Sequence, residues 1–128
     1  METQFFLDLA WDINEWTPEK AHQYAAHWAA QNFGKTLAPE IAAVKKEYYR
    51  LAQEGKPEFM RMLKYLPQAR VQRLADYTKV YKRTAALKNK IPAHLQNAFF
   101  ELIEYPVKGA ALINQKIFYS QMSFEVAD

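Results

Sequence analysis

The residues able to do chemistry in this chain are few and poorly spaced for it. His22 and His27 lie five apart, whereas two ligands on one helical face need a spacing of three or four. They read as surface or half-buried histidines. His94 has no acidic or histidine partner three or four residues away and is given no role. Acid–base hydrolysis by two carboxylates needs them held across a substrate, one kept protonated by its surroundings. Here Glu40, Glu47, Glu54, Glu58 and Glu101 fall mostly off the apolar stripes and read as solvated-face charges. There is no glycine-rich phosphate loop, no serine with a neighbouring histidine and orienting acid, and no cysteine. Disulfides, thiolate metal sites and cysteine nucleophiles are therefore excluded. No catalytic, cofactor-binding or metal-binding residue is assigned.

The elements that would position these groups are helices. With 128 residues, half of them apolar and only three glycine, the chain has the length of one ordinary domain and the composition of an all-α one. Thr17-Pro18 offers an N-cap hydroxyl followed by proline at the first helical position, and Gly34 suits a left-handed C′ residue. These bound a helix over 18–33, with Ala21, Ala25 and Trp28 on its core face. A second helix runs from about 38 to 55, with Ile41, Val44, Tyr48 and Leu51 on one side and Lys45, Lys46 and Arg50 elsewhere. Residues 58–65 read as a short helical piece. From 67 to about 90, Val71, Leu74, Tyr77, Thr78, Tyr81 and Ala85 mark a long amphipathic helix with basic residues on its other faces. A fourth segment, 92–105, carries Leu95, Phe99, Leu102 and Ile103. Pro106 then begins a last helix with Val107, Ala110, Ala111, Ile117 and Phe118 facing inward. Short connections favour antiparallel neighbours, so the expected fold is an up-and-down bundle of about five helices, 1–128 forming a single domain.

Two places stand out from this regular pattern. The opening stretch Phe5-Phe6-Leu7-Asp8-Leu9-Ala10-Trp11, followed by Trp16, puts four large aromatics before the first well-bounded helix. It either folds back on the bundle or is an interface for another domain. Residues 1–16 are thus a candidate interdomain segment, with Phe5, Phe6, Leu7, Trp11 and Trp16 as its contact residues. Asp8 among them needs a basic side chain or backbone amides if buried. Asn114 lies on the expected core seam of the last helix, where its amide must be satisfied and can fix register between helices.

Charge and hydropathy exclude other classes. A formal charge of +3 is mild and spread along the chain. The basic run Lys79, Lys82, Arg83, Lys88 and Lys90 alternates with tyrosine and alanine as a solvated helix face would, so no nucleic-acid partner is expected. No window approaches the roughly 20 apolar residues of a spanning helix, so no membrane partner is expected. The first ten residues carry Glu2 and Asp8 and lack a basic n-region, so no signal peptide is expected within this chain.

Several strings carry a resemblance. Phe5-Phe6-Leu7-Asp8-Leu9-Ala10-Trp11, Trp16-Thr17, Trp28-Ala29-Ala30-Gln31-Asn32-Phe33-Gly34, and later Tyr105-Pro106-Val107-Lys108 with Leu112-Ile113-Asn114, resemble the helical domain of glycoside hydrolase family 115. The resemblance implies a parent enzyme that is a xylan α-1,2-glucuronidase, removing glucuronic acid or its 4-O-methyl ether from xylan with inversion. It implies an α/β domain and a TIM-like barrel before the helical bundle, with β-rich material after it. The family's acid and base are expected in that barrel, so none is transferred to this chain. The implied partner is the catalytic barrel, xylan being met through the parent only. The resemblance leaves room for a homodimer, and a secreted or periplasmic parent is implied. The chain's expected role is thus that of a non-catalytic accessory domain, the alternatives being an independent protein-interaction bundle or a carbohydrate-binding module using Trp11, Trp16 or Trp28. On any of these readings the isolated chain should release no glucuronic acid from glucuronoxylan, measured against a heat-killed control.

Overall fold

The computed structural model describes residues 1–60 and 65–127. Among the described residues there is no strand, and the chain is all-α as expected. Its packing divides into two compact units, Met1–Lys46 and Glu47–Asp128.

The first unit contains α1 (Glu2–Trp11), α2 (Pro18–Ala21), α3 (Tyr24–Phe33) and the first part of α4 (Ala38–Glu54). The expected helix over 18–33 is broken at His22-Gln23. There the Gln23 N–H bonds to the Lys20 carbonyl, a tightened i→i−3 turn. Burial explains the division: α2 has no buried residue, while Tyr24, Ala25, Trp28, Ala29 and Phe33 of α3 are all buried. The Thr17 hydroxyl makes no capping bond to the backbone. It pairs instead with the Glu19 carboxylate, which its own backbone N–H and then Thr17 hold below the usual range. Gly34 does take a positive φ, but at φ 85°, ψ 157° it lies outside the left-handed helical region, in a conformation open essentially to glycine alone. The core of this unit is Trp28, 2% exposed, with Phe33 edge-on to it at 6.1 Å and Ile41 and Val44 buried on α4.

The second unit contains the end of α4, α5 (Pro57–Met60), α6 (Pro67–Lys88), a 3₁₀ turn (Ala93–Leu95), α7 (Gln96–Phe99), a π turn (Phe100–Glu104) and α8 (Tyr105–Ala127). The expected piece over 58–65 lies partly outside the described residues. Ion pairs fix the direction of the two long helices. Arg70 near the start of α6 meets Glu125 near the end of α8 at 2.6 Å, and Lys88 at the end of α6 meets Glu104 before α8 at 2.8 Å. The two helices therefore run antiparallel, as an up-and-down arrangement requires.

Two expectations about this unit are corrected. Pro106 does not begin a separate helix, because helical backbone runs from Gln96 through to Ala127. A proline inside an α-helix clashes with the carbonyl four residues back. Here the five residues ending two before it are wound as a π turn, whose wider i→i+5 bonding relieves that ladder. On α6 the buried row is Arg70, Arg73, Tyr77, Val80, Thr84 and Leu87, not the row through Val71, which is 60% exposed. The basic residues are thus not confined to the outer faces.

Truncating the central ring of the first unit tests its role. Trp28→Ala should destabilise the protein by roughly 3–5 kcal/mol in denaturant unfolding, the range for a buried large aromatic. A loss below about 1 kcal/mol would show that the ring is not core.

Candidate functional site

The opening segment folds as α1, a helix with two different faces. Its inner face carries Phe5 and Asp8. Phe5 sits edge-on to the Tyr24 ring at 4.7 Å, and the Tyr24 hydroxyl donates to Asp8 Oδ2 at 2.6 Å. Asp8 therefore finds a phenol, not the basic side chain or helix-start amides that its sequence setting suggests. The Tyr24 pKa is pushed up, chiefly by burial and then by the Asp8 carboxylate it donates to, so the hydroxyl keeps its proton and remains the donor. Trp16 packs edge-on against Tyr24 at 4.7 Å and His27 at 5.0 Å, which accounts for the half-buried His27.

The outer side of α1 carries Phe6, Leu7 and Trp11, of which Leu7 and Trp11 are in i,i+4 register, and Ile13 follows it. They are 67%, 65%, 93% and 71% exposed. The five residues singled out by sequence are therefore not brought together on one surface. Phe6, Leu7 and Trp11 share the outer face, Phe5 is half-buried on the inner one, and Trp16 is buried. Of the three tryptophans only Trp11 is exposed. A sugar-stacking platform built from Trp11, Trp16 and Trp28 would need at least two exposed, coplanar rings, and these three do not provide them.

Lys45, placed by the sequence pattern off the apolar side, is 5% exposed. Its ammonium lies 5.5 Å from the centroid of the Trp28 ring. Burial lowers its pKa, with Glu2 acting in the opposite sense. The apolar stem and the negative ring face together tolerate the charge.

In the second unit the polar centre is Arg73. Its Nε donates to Asn114 Oδ1 at 2.8 Å, and one terminal nitrogen donates to the Leu51 and Gly55 carbonyls at 2.9 and 2.8 Å. The guanidinium also lies 5.2 Å from the centroid of the Tyr77 ring. The last carbonyls of a helix lack intrahelical partners, so Arg73 caps the C-terminus of α4 from α6, at the end where a cation is favoured by the helix dipole. Asn114, fully buried, also donates to the Ala110 carbonyl at 2.8 Å. Its expected structural role, fixing one helix against another, is what the geometry shows. Gly55 has a steric reason: a Cβ there would collide with the Tyr65 hydroxyl and crowd Arg73.

Several carboxylates of the second unit are engaged with cations. Glu47, Glu54 and Asp76 surround Arg50, and this cluster pulls the Glu47 pKa down through its hydrogen bond to Arg50. Glu125 is likewise held low by Arg70. Among the described residues no group of histidines and carboxylates could hold a metal ion, and no helix is long and apolar enough to cross a membrane.

Residues 1–59 match the family model described as glycosyl hydrolase family 115. This segment is related to that family. The match covers α1 to α4 and the start of α5, and so includes the opening string and the one ending at Gly34; the strings at 105–108 and 112–114 lie outside it. Neither a curated protein nor a solved structure matches the chain.

Arg73 is the residue that sequence reading missed, and its removal should be costly. Arg73→Met strands two helix-end carbonyls and the buried Asn114 amide, and should lose roughly 3 kcal/mol or more in denaturant unfolding. Arg83→Met, at an exposed site on the same helix, should change stability by less than about 0.5 kcal/mol.

Proposed function

We propose that this chain is the non-catalytic helical domain of a family 115 xylan α-1,2-glucuronidase, and that the outer face of α1 docks on the catalytic barrel of the parent enzyme. The observation that carries this reading is the overlap of the family match with an apolar face that is largely exposed within its own unit. A helix apolar on both sides is expected in the interior of a larger protein. Phe6, Leu7 and Trp11 fit a covered position better than a solvent one, since contiguous exposed apolar patches of this kind are uncommon on monomers. The inner face already secures α1 to Tyr24, and the outer residues stay largely exposed within their own unit. The parent would act on extracellular xylan, with its acid and base in the barrel, and this domain would contribute by holding that barrel in place.

The test uses the full-length parent. It should release 4-O-methylglucuronic acid or glucuronic acid from glucuronoxylan. Phe6→Ser with Trp11→Ser should lower its melting temperature and open it to proteolysis between barrel and bundle, while leaving the unfolding of the isolated chain within about 0.5 kcal/mol of wild type. A parent without glucuronidase activity would refute the enzymatic assignment, and equal destabilisation of chain and parent would refute the docking face.

A further inference from the structure

α1 is lightly held within its unit, and the contacts that hold it converge on one ring. The helix has ten residues, no side-chain cap at its N-terminus and no buried residue. A helix of that length is marginal by itself in water, so its fixed position depends on what it touches. Phe5 and Asp8 stand three apart and share a face, and both meet Tyr24 of α3, which is itself buried. Beyond α1 the Asp12 carboxylate accepts the Asn14 N–H at 2.9 Å and turns the chain. Trp16 then comes back to the same Tyr24 ring at 4.7 Å. The stretch from Phe5 to Trp16 is thus fastened at both ends to one tyrosine.

Among these contacts the bond from hydroxyl to carboxylate is directional. Ring against ring tolerates a small roll of the helix, and so does the attraction between Glu2 and the Lys45 ammonium. A hydrogen bond of 2.6 Å does not, because it weakens steeply once donor and acceptor are misaligned. A roll of α1 that broke this bond would carry Phe6, Leu7 and Trp11 round with it, since all are fixed to one helical cylinder. We propose that Tyr24 and Asp8 are positioning residues, whose hydrogen bond is a clasp that fixes the rotation of α1 about its own axis and so aims Phe6, Leu7 and Trp11 at the neighbouring barrel. The proposal rests on the docking role given to α1 above.

The clasp serves orientation more than folding. The core of the unit is made by Trp28, Phe33, Ile41 and Val44, and no residue of α1 is buried. Releasing α1 is therefore a local opening that leaves that core closed, with a free energy below that of global unfolding. The main-chain carbonyl of Asp8 accepts the Asp12 N–H at 3.0 Å, so the residue that aims the helix also closes its last turn. Asp8 and Tyr24 both fall within the family match over residues 1–59.

Hydrogen–deuterium exchange on the chain tests the clasp. Tyr24→Phe keeps the ring that meets Phe5 and Trp16 and removes the hydroxyl. The amides of α1 should then exchange about tenfold faster, the scale of a hydrogen bond to a charged group, while those of α3 and α4 keep their wild-type rates. Asp8→Asn, whose amide oxygen still accepts the phenol proton, should stay near wild type. Asp8→Leu should match Tyr24→Phe, and the two removals together should be no faster than either alone. In the parent, Tyr24→Phe should open the link between barrel and bundle to proteolysis, and Asp8→Asn should not. Unchanged exchange in α1, or acceleration spread equally over α3 and α4, would overturn the clasp. Faster exchange in α1 with no change in proteolysis of the parent would overturn its part in docking. Failure of the docking reading itself is distinct: Phe6→Ser with Trp11→Ser would then leave the parent unaffected, while the exchange result on the chain would stand.

Discussion

The guanidinium of Arg73 is the point on which the second unit depends. One side chain from α6 closes the open end of α4, bonds to Asn114 on α8 and lies against Tyr77. Three helices thereby share a polar joint inside the core. Apolar packing is tolerant of sliding, because one methyl group substitutes readily for another. A planar donor with fixed directions is not tolerant, since every acceptor displaced from it is left buried and unpaired. The joint thus selects one register of α6 against α8. The outlying pairs Arg70–Glu125 and Lys88–Glu104 agree with it at either end.

The first unit solves a smaller version of the same problem. Asp8 could not be buried against apolar neighbours without a donor, and Tyr24 supplies one while its ring packs between Phe5 and Trp16. Lys45 is accommodated by the face of Trp28. In each unit a polar group enters the core where an aromatic ring can meet both its charge and its shape.

Much of the fold was legible because its boundaries rest on local chemistry. Prolines at 18 and 67 and the glycine at 34 mark helix limits through their own backbone constraints, and the helical period alone marks Trp28 as core. What escaped reading depended on partners distant in the chain. Arginine at 70 and 73 looks like outer-face charge until the α4 carbonyls and Asn114 are brought to it. Val71 looks like core until the 3–4 spacing from Arg70 to Leu87 is given priority over residue type. Pro106 looks like a helix start because a proline within a helix is normally excluded, and the π turn that admits it has no sequence signature. Of the candidate interface residues, type alone grouped Phe5 and Trp16 with Phe6, Leu7 and Trp11, and only helical phase separates them.

That separation by phase has a wider consequence. In both α1 and α8 the inner face makes the contacts that hold the helix within its unit, through Phe5 and Asp8 in one case and Asn114 and Phe118 in the other. The outer residues Trp11 and Val126, 93% and 87% exposed, make almost none. An exposed apolar side chain forgoes the roughly 1.5–3 kcal/mol that burial would yield and favours indiscriminate adhesion, so fold stability supplies no reason to keep it. Scattered single examples are normal on any surface. On α1 and α8 the exposed apolar residues lie on the side away from the buried contacts of the same helix.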